Sequence, residues 1–456
     1  MLRSAVILAG GEGVRMWPFA TVRNKCALPV ANVPNVRRQA DALRQLGIER
    51  LVVVVGWNEA SVRHAFLGAP EPPIFVQQPK DGGTAGAALA GLRTVGDEPT
   101  LVLCGDIVTA SQTLRDFIGQ AAETGAPGAV LCDEIAEAEG ADWLSVQSED
   151  GLMRRMVGHD AGAKQRWCGA AIVDPSFVPV LVANPGRMTS VPVGGMPPME
   201  PDLAQSLNEW QVDIAAIPAR GFVVDMDKPW HVLEASGRAA EHLTGSLEGS
   251  SVHPTAAIDD GAEIGGHVVL GAGARIGRRV VVEGNLILAD GASLTNGAIL
   301  RGGSVIGARS SVKEYCLIDD RTVVGADCIV GHGAEMSGVM LDGAYLYHYC
   351  EIYGVVGESV DIGAATVCGT LRFDDRDAEH RVAGRREHPR IGANASYFGD
   401  HSRTGVNVIT MPGAKIGAYS CVGAGIVVYN DVPDRTLLLL KQETVTRPWG
   451  PERYGW

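Results

Sequence analysis

An aliphatic residue recurs at every sixth position over 85 residues in the second half of this 456-residue chain. The positions are Val252, Ile258, Ile264, Leu270, Ile276, Val282, Leu288, Leu294, Leu300, Ile306, Val312, Ile318, Val324, Val330 and Met336. An α-helix turns every ~3.6 residues and cannot keep such a set on one face. A parallel β-helix can, because each hexad forms one side of a triangular coil and its aliphatic residue fills the axis. The period therefore predicts about five coils of three hexads, each coil rising roughly 4.8 Å.

The repeats are bounded and interrupted by polar segments. Their phase breaks near Asp342 and resumes at Val356, and the polar stretch between Arg372 and Arg390 predicts an extruded loop. The small, polar segment Gly245–Ser251 precedes the first repeat. We therefore expect a first domain over residues 1–245, the hexapeptide β-helix over 251–443 and an irregular tail over 444–456.

The first half of the chain alternates short β-branched runs with amphipathic stretches. The predicted strands are Ser4–Ala9, Leu51–Val55, Ile74–Gln77, Thr100–Cys104 and Ala129–Asp133. A helix is indicated by Val36, Ala40, Leu43 and Leu46, which share one face before Gly47. This alternation predicts an α/β fold whose mostly parallel sheet is covered by helices on both faces. Ligands of such folds collect outside the carboxyl ends of the strands.

Composition excludes several classes of protein. The formal net charge of −14 argues against nucleic acid as a partner, because phosphate contacts need a basic surface. No apolar run approaches the roughly 18 residues that span a membrane, and the apolar start is too short for a signal peptide. Nine cysteines without CxxC spacing suit reduced thiols, so we expect a cytoplasmic protein.

A glycine-rich segment follows the first predicted strand. It reads Gly10-Gly11-Glu12-Gly13 and is followed by Arg15 and, after a short interval, by Lys25. Glycines allow backbone N–H groups to approach phosphate closely, and a guanidinium can bind a triphosphate oxygen. The segment lacks the GKS or GKT of a Walker loop and the GxGxxG of a dinucleotide fingerprint. By itself it is equally consistent with a plain tight turn.

The continuation of this segment resembles the sugar-1-phosphate nucleotidylyltransferases. Their signature is L-A-G/A-G-x-G-T-R-L/M-x-P followed by P-K-x-L-x-P-V, and this chain reads Leu8–Pro18 and then Asn24–Val30. Val14 replaces the threonine and Asn24 the proline. The resemblance implies a Rossmann-like nucleotidyltransferase domain with Arg15 and Lys25 as catalytic cations. Its nucleotide-binding residues would include Leu8, Ala9, Gly10, Gly11 and Gly13.

Three further stretches agree with that family. The resemblance implies that Gln78 reads a pyrimidine edge, which favours UTP or dTTP, and that Gly83 and Thr84 pass beside the base. It also implies that Asp106, after Leu101–Gly105, and Asp225, in Phe222–Trp230, hold Mg²⁺. The alternatives are an exposed loop glutamine at position 78 and turn, capping or structural aspartates at 106 and 225.

The implied chemistry is a displacement between two anions. An oxygen of a sugar 1-phosphate attacks the α-phosphorus of a nucleoside triphosphate in line and expels pyrophosphate. Charge neutralisation and alignment are the main barriers, so two carboxylates with Mg²⁺ and two cations suffice without a covalent intermediate. Arg15 and the loop amides would stabilise the pyrophosphate, and Lys25 the transferring centre.

The implied sugar pocket departs from the family pattern. The family has Tyr-Gly, Glu-Lys, Asn-x-Gly and E-x-T-D-like elements where this chain has Asp142-Trp143, Gly158-His159, Trp167-Cys168-Gly169 and Glu200-Pro201-Asp202. Gly169 and Asp202 are the tolerable matches and are predicted to bind sugar. Because groups that bind hydroxyls are missing, we expect an unusual sugar or cyclitol phosphate. The alternative is that this variable region is misaligned.

The second half resembles the left-handed β-helix of bifunctional N-acetylglucosamine-1-phosphate uridylyltransferases, especially their archaeal relatives. The closest stretches are Leu371–Asp374, Arg403–Val408 and Pro412–Gly417. The resemblance implies a left-handed crossover, where ordinary parallel crossovers are right-handed. It also implies a homotrimer with an acyl site between neighbouring subunits.

The residues of acetyl transfer do not carry over cleanly. Alignment places Tyr347 and Cys350 at the family's His and Tyr positions, with His348 one position off, and Ala364 at a backbone position lining acetyl-CoA. Other family positions, an asparagine and two loop lysines, are taken by Thr370, Arg376 and Glu379. His348 could act as the general base only if the strand register shifts by one residue, and such a shift turns a side chain to the opposite face. The β-helix alternatively serves only as a trimer scaffold.

Three functions remain open on the sequence. The first is a nucleotidylyltransferase with a trimerising β-helix. The second is a bifunctional enzyme that also acetylates an amino-sugar phosphate with acetyl-CoA, using His348 and Ala364. The third is a non-catalytic sensor of nucleotide sugars, which the presence of Arg15, Lys25, Asp106 and Asp225 disfavours.

Overall fold

The computed structural model describes residues 2–135, 143–158, 160–188 and 199–450. Its first half is a nine-stranded mixed sheet with helices packed on both faces. In sheet order the strands are Ile74–Gln77, Arg50–Val55, Ser4–Ala9, Thr100–Cys104, Gln165–Val173, Gly128–Glu134, Ile214–Pro218, Leu152–Gly158 and Leu144–Glu149. The helices are α1 Asn35–Gln45, α2 Glu59–His64, α3 Gly83–Val95, α4 Ser111–Thr124, α5 Phe177–Ala183, α6 Leu203–Glu209 and α7 Pro229–Gly245.

Short elements complete this half. Two one-turn 3₁₀ helices cover Val14–Met16 and Lys25–Ala27. Two-stranded pairs join Pro29–Val30 with Val33–Pro34, Ile107–Thr109 with Val223–Asp225, and Arg187–Met188 with Met199–Glu200. The five predicted strands are present, and two of them extend by one residue at one or both ends. Helix α1 buries Val36, Ala40 and Leu43 and is followed by Gly47 at φ +88°, as the sequence indicated.

The prediction of a mostly parallel sheet is correct for one side only. The first four strands of the sheet order pair in parallel, which places their carboxyl ends at one edge. From Gln165–Val173 onward the pairings are antiparallel except that of Gly128–Glu134 with Ile214–Pro218. The physical reason is the hairpin Leu144–Gly158, because a short turn joins antiparallel neighbours whereas parallel ones need a crossover.

The second half is a parallel β-helix with three faces, so this part of the predicted fold is confirmed. One face contains Ser251–Val252, Val268–Leu270, Leu286–Leu288, Ser304–Ile306, Val323–Val324, Ser396–Phe398 and Lys415–Ile416. A second contains Ala257–Ile258, Arg275–Ile276, Ser293–Leu294, Ser311–Val312, Ile329–Val330, Tyr345–Leu346, Asp361–Ile362, Arg403–Thr404, Cys421–Val422 and Leu437–Leu438. The third contains Glu263–Ile264, Val281–Val282, Ile299–Leu300, Leu317–Ile318, Val367–Cys368, Ile409–Thr410 and Val427–Val428. Glu335–Met340 and Glu351–Val356 continue from the third face into the first.

The register of the coils follows the period of the sequence. Leu270 pairs with Leu288 and Ile276 with Leu294, so one coil takes three hexads. The predicted axial residues from Leu270 to Met336 are buried in one apolar cluster. Val252 and Ile258 are 46% and 40% exposed, contrary to the prediction, because no coil precedes theirs.

Both predicted interruptions are visible in the strand pairing. Near Asp342 the coil shortens, since the six-residue strand Glu335–Met340 runs through a corner and Val324 pairs with Met340. The predicted loop belongs to an insertion between the strands ending at Cys368 and starting at Ser396. Within the insertion, His380–Val382 and Arg385–Glu387 form an antiparallel hairpin.

The two halves share an apolar interface. Trp230, Val232 and Leu233 of α7 pack with Val339 and Val355 of the β-helix. A second cluster joins the middle of α7 to two earlier coils, through Ala235 and Ala239 on the helix and Val305 and Val323 on the coils. Within the described ranges no helix combines the length and apolar character needed to cross a bilayer.

Candidate functional site

The predicted phosphate loop and the predicted metal carboxylate lie at the same edge of the sheet. Ser4–Ala9 and Thr100–Cys104 are adjacent parallel strands, so Gly10 and Asp106 both follow carboxyl ends. The Gly105 amide donates to the Leu8 carbonyl at 2.8 Å, which fixes the turn before Asp106. Leu8 and Ala9 are buried in the strand and can offer a ligand only their backbone.

Two glycines of the loop are required by their surroundings. A Cβ on Gly10 would lie 1.9 Å from Gln78 Oε1, so the predicted base-reading glutamine lies directly against the loop. Gly13 has φ +64° and faces the stem of Lys25. Gly11 has open space on its Cβ side. The loop therefore presents backbone to solvent next to a cation.

Lys25 lies at the centre of a cluster of charges. Its Nζ contacts Asp106 Oδ2 and lies 3.9 Å from Asp227 Oδ1, which also binds Arg15 Nη2 at 2.8 Å. Burial alone would lower the pKa of the Lys25 ammonium, but the charges of Asp106, Asp225 and Asp227 outweigh burial and the net shift is upward. Lys25 therefore remains protonated, and its side chain is only 15% exposed.

Asp225 completes the cluster. It pairs with Ile107 across the short antiparallel pair, which brings it beside Asp106. Burial, together with the Asp106 charge, raises the pKa of the Asp225 carboxyl to about 7. Asp225 Oδ1 is buried and has no hydrogen-bond partner among the described residues.

The donor set fits a Mg²⁺ ion. Two adjacent carboxylates, one with an unpartnered buried oxygen, are hard oxygen ligands whose mutual repulsion a divalent cation would relieve. Among the described residues no group of three or more histidine, cysteine or acidic side chains is placed to hold a metal. Two carboxylates plus water and phosphate oxygens is the arrangement Mg²⁺ commonly takes beside a nucleotide.

Sequence reasoning missed two residues of this site. Asn24 is fully buried, and its amide donates to the carbonyls of Ala9, Gly11 and Trp57 at 3.1, 3.2 and 2.9 Å. Where the family has a rigid proline, this chain thus has an asparagine that holds three backbone segments by hydrogen bonds. The identity of the residue alone did not indicate this role. Asp227 lay in the quoted family segment, but nothing in the sequence paired it with Arg15.

Two buried side-chain amides fix the backbone on both sides of Asp106, in the turn that follows the strand Thr100–Cys104. Asn35 Nδ2 donates to the carbonyls of Gly105 and Ile107, and Gln39 Nε2 to those of Cys104 and Ile107. Both residues lie in the first half of α1, whose periodicity predicted a helix but not this function.

The predicted base-side residues have structural partners of their own. Gln78 Nε2 lies 3.3 Å from the Gly83 carbonyl, and Thr84 Oγ1 accepts from the Leu203 amide at 2.9 Å. A Cβ on Gly83 would lie 2.2 Å from the Pro201 carbonyl oxygen. The start of α3 is thereby fixed against the segment before α6.

The predicted sugar residues Asp202 and Gly169 have structural contacts of their own. Asp202 caps α6 by accepting from Ala204 and Gln205, and it binds Arg187 at 2.7 Å. Gly169 has φ +65° and faces Ile107 and Cys104, behind the strand that carries Asp106. Asp142 and His159 lie outside the described residues.

Trp143 instead lines a cavity of about 1010 Å³ beside Asp225. The Arg166 guanidinium lies 4.6 Å from the centre of the Trp143 ring, and Arg166 also binds Asp133 at 3.0 Å. The opposite wall comes from α7 and from residues 387–391 of the β-helix insertion. Lys228 and Glu387 form a 2.8 Å ion pair between these two elements.

The predicted acetyl-transfer residues His348 and Ala364 lie on neighbouring coils, since the Ala365 amide donates to the His348 carbonyl at 3.0 Å. His348 is exposed and stacks edge-on with Tyr349, and Tyr347 stacks with Tyr345 at 4.2 Å. Cys350 is buried and contacts the Gly363 carbonyl at 3.3 Å, so it points into the coil axis. Ala364 accepts from the Asn407 amide, which makes it part of the coil ladder. Thr370 is exposed, and Arg376 and Glu379 lie in the insertion between Cys368 and Ser396.

Comparison with protein families gives two matches, one in each half. The family described as "MobA-like NTP transferase domain" matches residues 5–172. The family described as "GMPPB C-terminal domain" matches residues 247–343. The first half of the chain is thus similar to a MobA-like NTP transferase domain, and part of the second half is similar to a GMPPB C-terminal domain. The predicted resemblance to the sugar-1-phosphate nucleotidylyltransferases is confirmed.

Curated relatives match this chain over nearly its whole length. A Sulfurisphaera tokodaii protein named "Bifunctional sugar-1-phosphate nucleotidylyltransferase/acetyltransferase" is 26% identical over 441 residues, covering 94% of this chain and 98% of the relative. A Methanococcus vannielii protein named "Bifunctional protein GlmU" is 26% identical over 453 residues, covering 97% and 99%. Among solved structures, UDP-glucose pyrophosphorylase complexed with UDP-glucose is similar at 20% identity and TM-score 0.46, covering 53% of this chain and 100% of that one.

Proposed function

We propose that the protein transfers a nucleotidyl group from a nucleoside triphosphate to a sugar 1-phosphate and releases pyrophosphate. The observation that carries the proposal is the cluster of Lys25, Asp106 and Asp225 beside a glycine-rich loop at one sheet edge. The names of the relatives that span nearly the whole chain support the same reaction class.

The chain's own residues divide the work between binding and charge stabilisation. Asp106 and Asp225 would hold Mg²⁺, which supplies charge neutralisation at the phosphate oxygens. Lys25 donates from its buried ammonium to the α-phosphoryl oxygens, where charge develops during transfer. Arg15, whose side chain is 55% exposed, reaches the β- and γ-phosphates together with the amides of Gly11 and Gly13.

Bond changes are confined to the two substrates. An acceptor phosphate oxygen forms a bond to the α-phosphorus as the bond to the bridging pyrophosphate oxygen breaks. Both substrates are anions, so the cations lower their repulsion and the site holds the three atoms in line. Asp227 orients Arg15 and offsets the charge of Lys25 before the triphosphate arrives.

The cavity beside Asp225 is the proposed acceptor site. Trp143 offers an indole face for a ring, and the paired groups Arg166 and Asp133 offer a donor and an acceptor near it. Since the family's sugar-binding groups are missing, the proposed acceptor is an unusual sugar or a cyclitol phosphate. Gln78, held against Gly10, supports UTP or dTTP as the donor.

A mass-spectrometric screen of five nucleoside triphosphates against diverse sugar and cyclitol 1-phosphates tests this function. We expect one pair to give a nucleoside diphosphate sugar with pyrophosphate. Lys25→Met and Asp225→Asn should lower the yield of product about a hundredfold or more, whereas Asp97→Asn, at an exposed carboxylate on a distant loop, should retain it. Undiminished product with Asp225→Asn would remove the metal assignment.

Acetyl transfer to an amino-sugar phosphate is the second candidate. It is supported by relatives named for both activities that match over nearly their full length. The burial of Cys350, which takes the place of the family's tyrosine, in the coil axis favours a scaffold. Thiol release from acetyl-CoA, measured with a panel of amino-sugar phosphates and with His348→Gln, decides between the two, and silence across the panel would exclude the transfer.

The proposed assembly is a homotrimer formed through a left-handed β-helix. The proposed location is the cytoplasm. All nine cysteines are free thiols, which suits a reducing compartment.

A binding-only sensor would not require both metal carboxylates. It would be favoured instead if the protein bound nucleotide sugar tightly yet released no pyrophosphate.

A further inference from the structure

The loop that carries both cations has little structure of its own. We call residues 10–25 the cation loop. Within it, Val14–Met16 forms one 3₁₀ turn, and the Phe19 amide donates to the Met16 carbonyl. Residues 17–23 contain no strand or helix. The distance between Arg15 and Lys25 therefore depends on what this segment packs against.

The segment packs against the β-helix. Met16 and Phe19 are fully buried in a cluster that includes Val355 and Tyr397. The rings of Phe19 and Tyr397 meet edge-on with centroids 6.5 Å apart. Residues almost 380 positions apart in sequence thus form one apolar contact beneath the proposed active site.

Polar contacts reinforce this packing at three points. Asp434 accepts from Trp17 Nε1 through Oδ1 at 2.9 Å and from Thr21 Oγ1 through Oδ2 at 3.0 Å. Arg23, only two positions before Lys25, binds Asp400 and also Glu358 at 2.9 Å. The Arg23 side chain is 10% exposed and that of Asp400 is fully buried, so this pairing is shielded from solvent.

The three acids occupy equivalent positions on the β-helix. Strand pairing matches Val356 with Phe398, Phe398 with Ile416 and Ile416 with Val432, so the residues two positions later stack along one corner. We call Glu358, Asp400 and Asp434 the acid column; Ala418 stands between the last two. The column faces the cation loop along successive coils.

An aspartate at this corner also has a general role within the coils. Asp434 Oδ1 accepts from the Ala418 amide at 2.7 Å, and Asp290 Oδ1 accepts in the same way from Ala272 at 2.8 Å. Asp290 is exposed on an earlier coil, and within the described residues its carboxylate makes no hydrogen bond or ion pair with the cation loop. The bond between coils is therefore shared by both residues, whereas contact with the loop distinguishes Asp434.

We propose that the acid column positions the cation loop, so that the β-helix sets the separation of Arg15 and Lys25 for one triphosphate. Glu358, Asp400 and Asp434 are then positioning residues, and the inference rests on the proposed nucleotidyl transfer. The contact of Lys228 with Glu387 anchors the segment after Asp225 and Asp227 to the same β-helix. Both sides of the cluster of charges are thereby attached to the second half.

The test uses full-length variants that separate positioning from coil stability. Removing Asp400 would leave Arg23 buried without its partner and threatens folding, so Asp434 is the better target. Asp434→Ala and Asp290→Ala each lose one bond between coils, but only the first loses contact with Trp17 and Thr21. Asp434→Asn should restore function, because its amide can accept from the indole and donate to the threonine hydroxyl.

For each variant we would measure the steady-state kinetics of pyrophosphate release and the hydrogen exchange of the amides of residues 13–25. The thermal midpoint of each variant reports the stability of the coils separately. We expect Asp434→Ala to lower kcat/KM for the triphosphate about tenfold and to accelerate exchange in this segment. Asp290→Ala should change neither, although the loss of its bond between coils lowers the thermal midpoint. Asp434→Ala, which also loses the contacts with Trp17 and Thr21, should lower the midpoint further.

Equal kinetics and equal exchange in Asp434→Ala and wild type would overturn the proposal, as would equal effects of Asp290→Ala and Asp434→Ala. If the wild type itself releases no pyrophosphate, the proposed function fails, but exchange still decides the positioning. Faster exchange confined to Asp434→Ala then supports it, and unchanged exchange refutes it.

Discussion

Asn24→Ala should lower both the free energy of unfolding and the affinity for the triphosphate, because the Asn24 side chain holds the glycine-rich loop through hydrogen bonds to its backbone. Its amide nitrogen has two hydrogens and three carbonyl oxygens in range, those of Ala9, Gly11 and Trp57. Its Oδ1 accepts from the Cys26 amide at 2.9 Å and caps the following 3₁₀ turn. Within the described residues, no other side chain donates to the Ala9 and Gly11 carbonyls.

The expected loss follows from these contacts. A buried group left without its partner costs about 1–3 kcal/mol, and loss of an N-cap about 1 kcal/mol. Allowing for water entry near Gly11, we expect the free energy of unfolding to fall by about 3 kcal/mol. The KM for the triphosphate should rise about tenfold, since the displaced carbonyls belong to the phosphate loop.

Urea unfolding and pyrophosphate release measure the two effects. Asn24→Asp preserves shape and the cap but turns a carboxylate towards three carbonyl oxygens, so it should be worse than alanine. Asn208→Ala, which loses two hydrogen bonds to Met156 away from the loop, should lower stability without raising KM. The reasoning is refuted if Asn24→Asp equals the wild type, or if Asn208→Ala raises KM as much.

Four further outcomes are expected. Lys25→Met should lower kcat about 10²–10³-fold, and it should also lower the thermal midpoint because Asp106 and Asp227 lose a buried cation. A loss of kcat of only twofold in a kinetic assay would contradict its role. Trp143→Ala should raise KM for the acceptor about tenfold but not KM for the triphosphate, as measured by varying each substrate in turn. Leu300→Ala, at a fully buried axial position, should cost about 2–5 kcal/mol in denaturant unfolding. Burial lowers the pKa of His380 to about 4, below its value near 6.5 in the unfolded chain. The contribution of His380 to the free energy of unfolding is therefore fully present above pH ~6.5 and is lost as the pH falls towards 4, by about 2 kcal/mol at pH 5. His380→Gln should remove that part of the pH dependence measured by urea unfolding.

Much of the fold was predictable because its signals are local and repeated. The period of six fixed the β-helix and its register, since each axial residue stacks on the one three hexads later. The failure at Val252 and Ile258 has the same origin: periodicity identifies a face but not where the stack ends. The antiparallel side of the sheet was missed because no helical crossover precedes Gln165–Val173, and the sequence signal for the hairpin before it is weak.

The site was predictable where chemistry and chain position coincide. Gly10 and Asp106 follow neighbouring parallel strands, so their convergence follows from the α/β pattern. Asp202 caps a helix and Gly169 packs against Ile107, and the sequence predicted neither of these structural roles. The contacts of Asp434 with Trp17 join positions more than 400 residues apart, and nothing in either segment indicates the other.

The central claim, that the cluster around Lys25 transfers a nucleotidyl group to a sugar phosphate oxygen, is tested most directly by isotope transfer. Once the screen has identified an acceptor, its 1-phosphate is labelled with ¹⁸O at every phosphate oxygen, and the masses of both products are measured. We predict that all the label remains in the nucleoside diphosphate sugar and that the pyrophosphate is unlabelled. Labelled pyrophosphate, or a nucleotide product that lacks the labelled bridging oxygen, would contradict the mechanism.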